Sequence, residues 1–153
     1  MNNRTLHLVR GLPGSGKTTL AHKLSDQVFS ADDYFYEKGK GVYHFAAEEL
    51  PAAHAECRWK TEAAMIAGHM NVAVANTFSQ AWEAADYFEM AKDHGYLVNV
   101  VECQSQFGNV HGVPESSIDR MRERWEPLNQ LTISRAVQNK QKQNSNSRER
   151  STQ

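Results

Sequence analysis

Apolar positions along the chain fall into short runs separated by longer periodic stretches. Residues 5–9 (Thr-Leu-His-Leu-Val) read as a strand, and Leu20, Ala21 and Leu24 at helical spacing predict a helix opening near Lys17. Residues 27–30 predict a second strand, ending at Ala31-Asp32-Asp33-Tyr34. A loop rich in aromatics and glycine is expected over residues 35–45. A helix should then open near Pro51, because proline suits a first helical turn. Ala52, Ala55, Trp59, Ala63 and Ile66 share one face of it, and Gly68 closes it.

The same alternation continues downstream. Residues 71–75 (Asn-Val-Ala-Val-Ala) predict a third strand. Thr77 and Gln80 have capping-box spacing for a helix that runs toward Gly95 with Ala84, Phe88 and Ala91 inward. Residues 96–103 predict a fourth strand. A polar loop over 104–112 leads to a helix from Pro114 to about Glu126, with Ile118, Met121 and Trp125 as its buried stripe. Residues 128–133 carry a weak fifth-strand signal. Short strands alternating with helices define a doubly wound α/β fold, with a mostly parallel sheet and its site beyond the strand C-termini.

Beyond Ser134 apolar residues become scarce, so residues 1–134 are expected to form the domain and 135–153 a disordered tail. That tail holds five basic residues against one acid, a net +4, which leaves −5 on the body of a 153-residue chain whose net charge is −1. Such a balance gives no chain-wide basic field for coating nucleic acid, but it leaves room for gripping one polynucleotide end. Cys57 and Cys103 form no CxxC pair and read as small core residues in a reducing setting. Residues 1–4 lead straight into the first strand, with no secretion signal, and no apolar run reaches membrane-spanning length. A cytoplasmic location is therefore expected, with no membrane partner.

Between the first strand and the first helix lies Gly11-Leu12-Pro13-Gly14-Ser15-Gly16-Lys17-Thr18-Thr19-Leu20. Gly, four residues, then Gly-Lys-Thr is the phosphate-binding loop, here in its working context of strand, glycine loop and helix. Glycines bring backbone N–H groups close to an anion, and the helix N-terminus adds partial positive charge. Leu12, Pro13, Gly14, Ser15, Gly16, Lys17, Thr18 and Thr19 are thus the candidate nucleotide-binding residues. Lys17 can reach the β- and γ-phosphates of ATP, and the Thr18 hydroxyl can ligate Mg2+.

Other candidates follow the strand ends. A hydroxyl acceptor of a phosphoryl group needs a base, and Asp32 is the favoured one, with Asp33 supporting it or acting through metal-bound water. On extended backbone the two would point to opposite sides. Asn76 and Thr77 end the third strand where they can position a ligand. No strand ends in an aspartate–glutamate pair of the kind a motor-type ATPase uses to activate water. Positive charge over the transferring group is expected from Arg120 and Arg124, four residues apart. The competing reading is a salt-bridged helix with Asp119, Glu123 and Glu126. His111, beside Gly112, is a candidate substrate contact. One of Tyr34, Phe35, Tyr36, Tyr43 and Phe45 could stack on an acceptor base, and loop packing is the alternative.

Taken together, the loop, Asp32-Asp33-Tyr34, Asn76-Thr77 and Asn109-Val110-His111-Gly112-Val113-Pro114 resemble the P-loop kinases typified by the 5′-hydroxyl kinase domain of bacteriophage polynucleotide kinase. Its small single-domain ATP-binding relatives are the nearest likeness, over about residues 6–126. The resemblance implies a magnesium- and ATP-dependent phosphotransferase with Asp32 as general base, acting on a nucleic-acid 5′ end. The chain departs from that pattern in three places. Phe35 stands where the polynucleotide kinase grips the acceptor phosphate with arginine, Asn76 where its third strand ends in aspartate, and Gly108 where its lid carries arginine. These departures keep open a nucleoside or small-molecule kinase, and a nucleotide-binding switch without transfer.

Overall fold

The computed structural model describes residues 3–104 and 112–151. Four strands, β1 (Thr5–Gly11), β2 (Gln27–Phe29), β3 (Asn71–Asn76) and β4 (Leu97–Cys103), form one parallel sheet in the order β2-β3-β1-β4. The central strand β1 pairs with β3 from Thr5↔Asn71 to Arg10↔Asn76 and with β4 from Thr5↔Leu97 to Gly11↔Cys103. Parallel strands need crossovers, and helices supply them: α1 (Lys17–Leu24), α2 (Asp32–Lys38), α3 (Leu50–Ile66) and α4 (Ala81–His94). Two more, α5 (Glu115–Glu123) and α6 (Gln130–Ser151), follow the sheet.

Side-chain alternation along the inner strands sorts these helices onto two faces. Leu6, Leu8, Val72 and Val74 pack with Cys57 and Met65 of α3, with Tyr87 and Ala91 of α4, and with Ile133 of α6. The opposite face presents Val9, Ala73 and Ala75 to Ala21, Leu20 and Leu24 of α1. Large residues on one side and alanines on the other let α1 lie close to the sheet. β1 and β3 are neighbours whose connections leave on opposite faces, α1 on one and α4 on the other. A crevice therefore opens beyond their C-terminal ends, where open parallel sheets take their ligands.

Several expectations need correcting. The expected stripe of α3 is out of phase: Ala53, Cys57, Thr61, Ala64 and Met65 are buried, while Trp59 and Ile66 are 71% and 68% exposed. Alanine on every side of the helix makes its periodicity nearly symmetric, so contacts with the sheet decide the face. The capping box of α4 is Gln80 with Glu83, not Thr77 with Gln80, because Phe78 and Ser79 are still in the connecting turn. No fifth strand forms from residues 128–133 among the described residues. Asn129 instead caps the start of α6, its Oδ1 accepting from Thr132 N (3.0 Å). Residues 135–151, expected to be disordered, continue that helix. Ala136 and Val137 pack on the core and Lys140 pairs with Asp86 of α4, which anchors a polar segment rich in helix formers.

The phase of α3 has a direct consequence for stability. Met65→Ala, at a position 2% exposed, should cost about 2–5 kcal/mol. Ile66→Ala, one residue on, should stay within about 0.5 kcal/mol. Urea melts of the two variants check this, and equal losses would put the helix back in its expected phase.

Candidate functional site

β1 delivers the chain into the phosphate-binding loop, and α1 begins at Lys17. Gly14 and Gly16 adopt φ of 82° and 86°, left-handed conformations that turn successive N–H groups toward one concavity. Gly11 is needed for another reason: a Cβ there would lie 2.3 Å from Ser15 Oγ and 2.9 Å from the Cys103 carbonyl oxygen. Ser15 N donates to Leu12 O (3.1 Å) and closes the loop on itself. Lys17 Nζ donates to the same carbonyl (3.2 Å). Burial lowers the Lys17 pKa, and the Asp32 carboxylate offsets part of that penalty.

This loop fits a polyphosphate. Ser15 Oγ is buried without a protein partner among the described residues, a polar atom that lacks its hydrogen bond. The first-turn N–H groups of α1 have no intrahelical acceptor. Lys17 is a cation in a desolvated position, where an anion would compensate it. Thr18 and Thr19 lie exposed at the mouth, and Leu12 and Pro13 are half-buried. Residues 12–19 would hold the phosphates, and the Thr18 hydroxyl would hold a magnesium ion.

Across the crevice, Asp32 and Asp33 lie in the first turn of α2, not on the extended turn expected. Two acids followed by an aromatic suit a helix N-terminus as well as a turn, since the positive end of the helix attracts both carboxylates. The turn of the helix gives the two acids different partners. Asp33 Oδ2 reaches back to accept from Ser30 N (3.0 Å), and burial pushes its pKa up. Asp32 Oδ1 accepts from the Tyr43 hydroxyl (3.1 Å), and Asp32 is the carboxylate whose field reaches Lys17.

Asn76 was expected to bind substrate, but its side chain is committed to the fold. Oδ1 accepts from Ala31 N (2.9 Å) and Ser30 Oγ (3.3 Å), and Nδ2 donates to Cys57 Sγ (3.7 Å). It pins the start of α2, and thereby Asp32, to the end of β3. Thr77 accepts from Gly11 N through its carbonyl (3.4 Å), and the Tyr34 hydroxyl donates to Glu49 Oε1 (2.9 Å). Arg120 and Arg124 are exposed, and Arg120 Nε donates to Ser116 O within its own helix (3.3 Å). Arg122 pairs with Asp119 (3.0 Å), the salt-bridged arrangement on that part of α5. His111 lies outside the described residues.

Two residues at the site take roles that the sequence pattern does not announce. Arg10, 3% exposed at the end of β1, donates to Phe78 O from Nε (3.1 Å) and Nη2 (2.6 Å), and to Glu126 O (2.7 Å). Its guanidinium lies 4.1 Å from the Trp125 ring centroid and 3.8 Å from Glu102. Arg10 thus joins the loop's entry strand to the segment following α5. The available signal was a lone cation ending an apolar strand. Tyr43 is one of the loop aromatics, and its bond to Asp32 needs a chain reversal that no local pattern announces.

A parallel sheet, a glycine cradle at its switch point and an acid on the opposite wall make this a P-loop protein of kinase-like fold. The chain belongs to the AAA_33 family, described as an AAA domain, whose model matches residues 6–128. It is similar to human NEDD4-binding protein 2, with 34% identity over 79% of this chain. That match covers 8% of the human protein, so the chain spans a small part of that relative's length. Among solved structures it resembles Kti12 of Chaetomium thermophilum in complex with ADP-AlF3, at 17% identity and a TM-score of 0.54, with 83% of each chain covered. A Chloroflexus aurantiacus protein provisionally described as a kinase superposes with a TM-score of 0.52 at 19% identity, over 67% of this chain and 60% of that one. These two likenesses concern the fold.

The Asp33 carboxyl gives a pH-dependent test. Its folded-state pKa is raised, so the stability linked to its protonated form is present below the ordinary carboxylate value of about 3.9 and is lost as pH rises through the folded value. Asp33→Asn keeps an oxygen for Ser30 N–H and does not titrate. The melting temperature of the variant relative to wild type should therefore rise between about pH 4 and pH 7. A difference that is flat or falls across that window would contradict the burial assignment.

Proposed function

We propose that this protein is an ATP-dependent kinase that transfers the γ-phosphoryl group to a hydroxyl, with Asp32 as general base and the 5′-hydroxyl of a polynucleotide as the leading acceptor. The observation that supports it most is the pairing across the crevice. Asp32 is held by Tyr43 at the N-terminus of α2, within electrostatic reach of Lys17 in the phosphate cradle. In the step, the acceptor oxygen forms a bond to the γ-phosphorus while the bond to the β–γ bridging oxygen breaks. Asp32 takes the acceptor's proton, and Lys17 balances charge on the moving group. Magnesium at Thr18 would supply further charge neutralisation on the β- and γ-phosphates. The remaining contribution is positioning, which phosphoryl transfer chiefly requires.

A second reading, a nucleoside or other small-molecule acceptor, draws on Phe35. In the phage enzyme that position grips the acceptor's phosphate. Here the side chain is 0% exposed and packs with Ala31 and Ala53, so it offers no charge to a polymer backbone. Arg120 on α5 and Arg124 just after it, both exposed, are the candidate cations over the transferring group, and His111 and Thr77 the candidate substrate contacts.

Radiolabelled ATP offered to 5′-hydroxyl oligonucleotides and to a nucleoside panel separates the two readings. Asp32→Asn should cut transfer by about 10²–10⁴-fold, with ATP affinity retained. Lys17→Ala should lower turnover by at least about 10²-fold on any acceptor. ATP binding with no transfer to any member of the panel would refute the kinase reading in favour of a nucleotide-binding switch.

A further inference from the structure

After α2 the chain reverses sharply. Lys40 (φ 53°) and Gly41 (φ 94°) are both left-handed, and a Cβ on Gly39 would lie 1.8 Å from Val42 O. Gly41 N donates to Tyr36 O (2.8 Å) and His44 N to Phe35 O (3.2 Å), which folds residues 42–45 back along the helix. The reversal sets Tyr43 against Asp32. It also builds a continuous ring cluster, with Tyr43 5.1 Å from Tyr36 and stacked at 18° on Phe45 with centroids 6.4 Å apart. Phe35 supplies the buried base of the cluster, 5.1 Å from Phe45. Above it, Tyr36, Val42 and Phe45 are 39%, 72% and 53% exposed.

An apolar surface held beside a candidate base by a strained reversal is more than a stray exposed residue. We propose that Tyr36, Val42 and Phe45 seat a planar aromatic ring that the acceptor carries next to its reacting hydroxyl, the chemistry of a nucleoside unit. This rests on the reading of Asp32 as the acceptor-side base. Two features point to that occupant. The ligand must be polar where it meets Asp32 and flat and apolar a short step away, because Tyr43 belongs both to the carboxylate's hydrogen bond and to the ring cluster. Three side chains are also too small an area for a protein interface, which needs about 1,000 Å². A base stacked on Phe45 would be selected by its π-face rather than by hydrogen-bond readout, so tolerance of base identity follows.

The test uses the full chain with ADP and three probes: a short single-stranded DNA with a 5′-hydroxyl, its twin with an abasic first residue, and a free nucleoside. Equilibrium dialysis should show the intact DNA bound about five- to a hundredfold more tightly than the abasic twin, the range of one base–aromatic stack. Phe45→Ala should bring that ratio close to one, and Phe45→Tyr should preserve it. Should Phe45→Ala fail to fold, Val42→Glu carries the same expectation at a more exposed position. Binding of the free nucleoside with the same dependence on Phe45 assigns the seat to the nucleoside unit itself. Equal binding of the two DNA probes to wild type, or a ratio unchanged in the folded variant, overturns the proposal. Phosphoryl transfer measured in parallel with ATP keeps the two ideas apart. Base-dependent binding without transfer refutes the kinase reading and leaves the seat standing, whereas transfer indifferent to the base does the reverse.

Discussion

The crevice depends on one side-chain amide. Asn76 Oδ1, at the end of β3 and 7% exposed, takes the Ala31 N–H and the Ser30 hydroxyl, and through them fixes where α2 begins. β2 is only three residues long and could not hold that helix by strand pairing alone. With the clamp in place, Asp32 sits at a set distance from the phosphate loop, since β3 and β1 are in fixed register. An aspartate at this position would accept the same N–H, but it would bring a third carboxylate, and a buried one, close to Asp32 and Asp33. Asparagine keeps the hydrogen bond without the repulsion, and its amide nitrogen finds Cys57.

The phosphate side carries its own tension. Lys17 is desolvated and shares a carbonyl of its own loop, while Ser15 Oγ is buried without a hydrogen-bond partner among the described residues. Such groups lower the stability of the empty loop and raise its affinity for an anion, because a bound phosphate repairs both deficits. Arg10 braces the loop from behind. It gives Phe78 O two hydrogen bonds, and Phe78 holds a left-handed backbone (φ 48°) that a bulky residue adopts only under constraint. The turn between β3 and α4 is thus held by a cation from β1, the strand that feeds the phosphate cradle.

The Asp32 wall of the crevice is built by a different device. The conformations of Lys40 and Gly41 cost backbone freedom, and the return is the placement of Tyr43. Burial and the Asp32 carboxylate push the Tyr43 pKa up, so the hydroxyl stays a hydrogen-bond donor at any physiological pH. A neutral donor on Oδ1 holds the Asp32 carboxylate in one orientation at the N-terminus of α2.

Local pattern determined a good deal here. The glycine loop with Lys17, the strands at β1, β3 and β4, and the helix closing at Gly95 were legible because each needs only short-range information: a backbone of positive φ, a run of apolar residues, a period. The placement of Asp32 near the strand ends was legible because it follows a strand. Tertiary structure decided the rest. The alanines of α3 allow several buried faces, and only contact with Leu6, Leu8 and Val74 selects Cys57 and Met65 over Trp59 and Ile66. Residues 135–151 have too few apolar positions to announce a packed helix, yet Ile133, Ala136 and Val137 suffice when α4 offers a surface and Asp86 a counter-charge. The roles of Asn76, Arg10 and Tyr43 depend on partners 45, 68 and 11 residues away, respectively. A sequence pattern records which groups a chain owns, and the fold assigns which of them meet.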